Sequence, residues 1–304
     1  MTVIIAFFAN VLVAVAKTIA AALTSSASMV AEAAHSWADT GNEVFLLIAD
    51  RRGARPKDER HPLGFGRSAF VWSLIAAFGI FTAGAIVSIM HGVQELRSHE
   101  PVESPVVAYV ILGISFVVEG ASFAQALRRS RRLARERDSA TWDFVLKTSD
   151  TTLRAVFFED GAALIGLLIA GGSIALHQLT GVAEWDAVGS ILVGILLAIV
   201  AVLLIGRNMA FLVGTTVSPR VRARVGEALL ALPEIERVTY LHLEYVGPNR
   251  LFIVAEVDLA GDAHEHEVAW RLRDVERRIE THEVIEKAVL SLSVSDEASL
   301  RFDG

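Results

Sequence analysis

Apolar residues fill the first two thirds of the chain in runs too long for strands and only sparsely broken by polar positions. Crossing a hydrocarbon core of about 30 Å takes about 20 helical residues. Runs of that length fall at about 2–23, 29–50, 68–93, 105–127, 150–176 and 184–211, which predicts six transmembrane helices. The second run is the least apolar, because Glu32, His35, Asp39, Asn42 and Glu43 interrupt it, and hydropathy by itself would pass over it. After Arg207 the pattern changes. A helical period covers about 218–232, an extended run follows at Val238–Tyr245, Gly247-Pro248-Asn249 reads as a turn, and Leu251–Leu259 is rich in β-branched residues. A charged helix at about 263–282 and an alternating strand at Ala288–Val294 complete the order αββαβ. Three strands with two helices on one face is the compact solution for about 90 residues in that order. The predicted fold class is therefore an α-helical membrane protein with six transmembrane helices and a small α+β (αββαβ, ferredoxin-like) C-terminal domain. Residues 1–211 form the transmembrane domain in this reading and 212–304 the cytoplasmic one.

Composition agrees: 53% of the 304 residues are hydrophobic, only 21% are charged, and the mean hydropathy of +0.48 is too high for a soluble domain of this length. Cysteine is absent, which excludes a disulfide framework, a thiolate metal site and a cysteine nucleophile, and leaves His, carboxylate and backbone oxygen to hold any metal. The net charge of −7 averages over an uneven distribution. Arg51, Arg52, Arg55, Lys57, Arg60 and Arg67 crowd the link after the second run, and Arg128, Arg129, Arg131, Arg132, Arg135, Arg137 and Lys147 the link after the fourth. Basic loops stay in the cytoplasm. Thr24–Ser28 and 180–183 carry no Lys or Arg and 94–104 only Arg97, so these links face outside, and both termini are expected in the cytoplasm of an integral protein of the cell (inner) membrane. The chain opens on apolar sequence without a basic leader, so no removable signal peptide is expected, and the start of the first span is left open. The Arg128–Arg137 run, the nearest thing to a low-complexity segment, reads as a topology signal touching lipid headgroups, and no nucleic-acid partner is expected.

An ionisable side chain near the bilayer centre costs roughly 2.5–3.5 kcal/mol on insertion scales, so it faces a partner or a wet cavity. His35 and Asp39, four residues apart, share one helix face about a turn apart, and Glu32 and Glu43 extend that stripe. In the fifth run Glu159 and Asp160 break the apolar pattern. The second helix descends and the fifth ascends, which brings Asp39 and Asp160 to matching depth near the midplane. One imidazole and two carboxylates suit Zn²⁺, or with more oxygen Mn²⁺ or Fe²⁺. The competing reading makes these carboxylates buried polar glue for Asn, Ser, Thr or Arg groups, with Lys17 as a counter-charge. Glu119 in the fourth run is read first as a structural pair. No zinc-binding HExxH motif and no nucleophile–base pair is evident, so an enzyme is not expected.

The second-span segment AEAAHSWADTGNEV, followed by DERHPLGFGR at Asp58–Arg67, resembles the cation diffusion facilitator family, whose second span carries His or Asp, three residues, then Asp, ahead of a cytoplasmic HPxG-type loop. The fifth-span segment FFEDGAALIG is similar to the branch with the mitochondrial zinc exporter, which carries Glu-Asp-x-Ala-Ala there. The resemblance covers nearly the whole chain. It implies a homodimer that exports a divalent cation from the cytoplasm in exchange for protons, the cation being Zn²⁺ first and Mn²⁺, Fe²⁺ or Co²⁺ otherwise. It also implies that His35, Asp39 and Asp160 are ligands. The usual fourth ligand, four residues before Asp160, is replaced here by Val156, with Glu159, Asn42, Ser36 or a water as substitutes. Asp58 and His61 match two positions of a secondary loop metal site seen in some relatives, where Phe65 replaces another His; a plain turn is the alternative. The positions of a histidine cluster at the C-terminal dimer interface of some relatives carry Thr239, Ala255 and Ser293. Val156 keeps a second function class in view, a non-transporting membrane sensor or scaffold with a degenerate metal site.

Overall fold

The computed structural model describes residues 2–98 and 105–302. Each predicted apolar run is helical: α1 (Thr2–Thr24), α2 (Ala27–Gly53), α3 (Arg67–Ala76) continued through a π-turn (Ala77–Phe81) into α4 (Thr82–Ser98), α5 (Pro105–Glu136), α7 (Thr151–Thr180) and α8 (Glu184–Val213). A short α6 (Thr141–Lys147) joins α5 to α7. Among the described residues, four helices are long and apolar enough to cross a membrane: Arg67–Arg97, Pro105–Glu136, Thr151–Thr180 and Glu184–Val213. α2 has the length, at 27 residues, but its polar stripe lowers its hydropathy; in α1 the shorter stretch Asn10–Thr24 is apolar.

The chain separates into two compact units, Met1–Ala49 with Val71–Met209, and Asp50–Phe70 with Ala210–Gly304. In the first, small residues let helices approach closely, the usual route to packing where hydrocarbon surrounds the bundle. A Cβ added to Gly92 of α4 would lie 2.7 Å from the Ala187 carbonyl oxygen of α8, and one added to Gly194 would lie 2.6 Å from an Ile89 side-chain carbon. Between them the Ser190 hydroxyl donates to the Ser88 carbonyl at 2.8 Å. Asp150 starts α7 by accepting from the Leu153 amide at 2.9 Å, and Gly181, at a φ of 70°, ends it in the left-handed conformation that a side chain disfavours.

In the second unit Ser218, followed by Pro219 at the first helical position, opens α9 (Pro219–Leu230). Then come β1 (Ile235–Gly247), β2 (Arg250–Leu259), α10 (Glu265–Glu280) and β3 (Ile285–Leu292). The sheet order is β1-β2-β3, antiparallel between β1 and β2 and parallel between β2 and β3. Alternation fixes the core face: Leu251, Ile253, Ala255, Val257 and Leu259 of β2 join Val275 and Ile279 of α10 and Leu229 of α9 in one cluster. β3 begins three residues before the predicted Ala288–Val294, because its first polar residue, Glu286, finds partners: Arg250 at 2.5 Å and Lys57 at 3.0 Å. The 50–70 segment thus belongs with the sheet. Gly66 lies against the β1–β2 turn so closely that a Cβ would sit 2.5 Å from the Val246 carbonyl oxygen.

Candidate metal site

The polar stripe of α2 turns inward, with Glu32, His35 and Asn42 all buried. Its N-terminal end is fixed by Asp186 of α8, a residue the sequence reading passed over. One Asp186 oxygen accepts from the Ser26 hydroxyl at 2.9 Å and the other from the Ser28 amide at 3.4 Å, so this buried carboxylate serves the first orphan donors of α2. His35 Nε2 and Asp39 Oδ2 lie 3.5 Å apart. Both His35 ring nitrogens and Asp39 Oδ1 are buried without a hydrogen-bond partner. Buried polar atoms are ordinarily satisfied, so three such atoms on neighbouring side chains make this cluster a candidate ligand site.

On α7 the adjacent carboxylates diverge, as successive helical residues about 100° apart must. Glu159 accepts from Asn42 Nδ2 at 2.6 Å, while Asp160 turns to α5 and accepts from the Ser122 hydroxyl at 2.6 Å. Asp39 and Asp160 border one small cavity of about 40 Å³, together with Glu119, Ser36, Ser122 and Asn10. Glu159 and Asn42 engage each other away from that wall. Among the described residues, no three His, Asp or Glu side chains converge tightly enough to hold one ion as they stand.

Lys17 pairs directly with neither Asp39 nor Asp160. Its ammonium lies 2.9 Å from Glu32 and 2.8 Å from Glu119, tying α1 to α2 and α5 through a buried pair of ion contacts. Glu119 therefore has the structural partner expected of it, and it also borders the cavity. Arg154 was hidden in the apolar pattern of the fifth run. It is fully buried and donates to the Thr148 carbonyl at 2.8 Å and to Asn208 at 2.6 Å. Only a charge count inside the span would have found it.

Asp58 and His61 lie in the other unit. One Asp58 oxygen accepts from the backbone amides of Arg60 and His61 at 3.0 and 2.7 Å and contacts the His61 ring at 2.8 Å, and that ring sits 4.0 Å from the ring of Phe65. The hydrogen bond from His61 holds the Asp58 carboxyl below its ordinary range. These contacts build the tight turn of the HPLG segment.

Residues 3–213, well over half of the chain, match the cation efflux transmembrane domain. The chain belongs to the cation diffusion facilitator family. It is accordingly an integral membrane protein of a family of cation transporters, not of enzymes. A mitochondrial proton-coupled zinc antiporter of Xenopus laevis is 36% identical over 245 residues, 81% of this chain and 44% of that protein. Metal tolerance protein C4 of Arabidopsis thaliana is 36% identical over 238 residues, 78% of this chain and 52% of that one. The chain spans about half the length of these two relatives. An uncharacterized transporter of Methanocaldococcus jannaschii is 23% identical over 298 residues, 96% of this chain and 97% of that protein.

Proposed function

We propose that this cation diffusion facilitator is a homodimeric, proton-coupled exporter of a divalent cation, Zn²⁺ before Mn²⁺, Fe²⁺ or Co²⁺, working in the inner membrane of the cell. In this reading residues 1–211 supply six spans with both termini in the cytoplasm, the less apolar α2 included. Residues 212–304 serve dimerisation or regulation. The carrying observation is the cavity shared by Asp39 and Asp160, backed by a buried His35 whose ring nitrogens are free of hydrogen bonds. Deprotonated Asp39 and Asp160 with neutral His35 bind the cation from the cytoplasm. Rocking of the helices then exposes them outward, where protons compete for the same atoms, because these ligands bind metal only when deprotonated. The relative named as a proton-coupled zinc antiporter supports both the cargo and the coupling.

A second reading, a membrane sensor or scaffold with a degenerate site, draws on Val156 and on the lack of three converging ligands among the described residues. Growth separates the two. Expressed in a zinc-sensitive host, the parent chain protects against added Zn²⁺, and Asp39→Asn and Asp160→Asn, made to the same membrane level, do not. Equal protection by Asp160→Asn would remove that residue from the transport site.

A further inference from the structure

Val156 leaves the ligand set short, and Glu159 is taken up by Asn42, so the structure has to show where further oxygen could come from. Three carboxylates on three helices border the cavity: Asp39 on α2, Glu119 on α5 and Asp160 on α7. Glu119 is the one that the sequence reads first as a structural pair and only second as a transport residue. The pairing is one-sided: Oε1 meets Lys17 at 2.8 Å, whereas Oε2 is buried and has no hydrogen-bond partner. A carboxylate fixed through one oxygen, whose other oxygen no protein donor reaches, can turn that oxygen to a cation at the cavity it borders, since buried acceptors are otherwise satisfied. The same is true of Asp39 Oδ1, and neighbouring His35, 1% exposed, has neither ring nitrogen hydrogen-bonded. Lys17 anchors Glu119 without filling it and is itself shared with Glu32.

We infer that Glu119 is a cargo-binding carboxylate, held at the cavity by Lys17 and supplying the oxygen ligand that position 156 does not. The inference rests on the proposed transport function and adds a third helix to its site. Because the carboxylates border the cavity without converging, the cation itself draws Asp39, Glu119 and Asp160 together. An oxygen-rich shell of this kind accepts Mn²⁺ and Fe²⁺ more readily than a histidine-rich one.

The test is Zn²⁺ titration of the purified full-length protein by calorimetry, comparing the parent with Asp39→Asn, Glu119→Gln and Lys17→Gln/Glu119→Gln. Outer-shell substitutions in metal sites already weaken affinity about 10–100-fold, so losing a direct ligand raises the Kd at least about tenfold in Glu119→Gln. Lys17 keeps Glu32 in Glu119→Gln, whereas the double variant also takes Lys17 from the buried Glu32 and melts lower still, with a Zn²⁺ affinity no better than that of Glu119→Gln. Parent-like Zn²⁺ affinity in the double variant would make Glu119 purely structural and overturn the inference. Parent-like affinity in Glu119→Gln beside lost binding in Asp39→Asn would also overturn it, leaving the α2–α7 site intact. Parent-like affinity in Asp39→Asn would instead strike the proposed function itself. Should the glutamine variants fail to fold, the unaltered protein soaked with Cd²⁺ decides: an anomalous peak within coordination distance of a Glu119 oxygen supports the inference, and one contacted by α2 and α7 alone refutes it.

Discussion

Asp186 shows what one buried charge does in this bundle. Its carboxylate satisfies the Ser26 hydroxyl and the Ser28 amide, while the Ser28 hydroxyl donates to its backbone carbonyl at 2.8 Å and meets Ser173 at 2.7 Å. Removing it strands donors at the start of the helix that carries His35 and Asp39. Leaving a buried donor unsatisfied costs about 1–3 kcal/mol, so Asp186→Ala is expected to lower the melting temperature of the detergent-purified protein, and an unchanged melt would contradict the cap. At this scale the sequence was informative where a charge was expensive. Asp39, His35 and Asp160 stood out because they interrupt apolar runs, and the divergence of Glu159 from Asp160 followed from helical geometry. Asp186 was not legible, because a lone charge near a helix end looks like a solvated one until its partner, 160 residues away, is known.

At the scale of elements, spacing had most of the information. Apolar length located helices, four of which among the described residues are long and apolar enough to cross a membrane, and richness in β-branched residues located β2 within one residue. β1 and β3 came out longer or earlier than predicted, since the polar residues at their ends join the ladder once cross-strand partners exist, as Glu286 does with Arg250. The π-turn at Ala77–Phe81 has no counterpart in the hydropathy pattern. Packing between α4 and α8 depends on missing side chains. Gly194→Leu has no room, because even the Cβ would fall 2.6 Å from Ile89 and 3.0 Å from the Ala85 carbonyl oxygen. That variant should express poorly or melt well below the parent, whereas Gly206→Leu, with nothing within 4 Å of its added Cβ, should melt like the parent. Equal melting of the two would argue against tight α4–α8 packing.

Across the whole molecule, the least predictable feature is that residues 50–70 fold with the C-terminal sheet. Lys57 meets Glu286 across 229 positions of sequence, and Arg67 meets Glu244 across 177, separations that leave no local periodicity to read. Burial pushes the Glu286 carboxyl towards neutrality, but hydrogen bonds from Arg250 and then Lys57 outweigh it and hold the group below its ordinary value of 4.5. A carboxyl depressed by folding adds stability that is fully present above the unfolded value and is lost as pH falls through the folded one. Glu286→Gln should therefore unfold more easily than the parent at pH 7, and the gap should close as the pH falls below about 4.5. A gap that is constant over that range would mean the ion contacts contribute nothing to folding.

The proposed exchange of a divalent cation for protons through the cavity that Asp39, Glu119 and Asp160 border can be followed as Zn²⁺ movement in proteoliposomes holding the purified chain, with an imposed pH gradient and a pH-sensitive dye in the lumen. Zn²⁺ uptake accompanied by opposite proton movement is expected, driven by the gradient and absent in Asp39→Asn and Asp160→Asn. A well-folded parent protein that moves no Zn²⁺, Mn²⁺, Fe²⁺ or Co²⁺ under any gradient, or moves them equally in both variants, would contradict it.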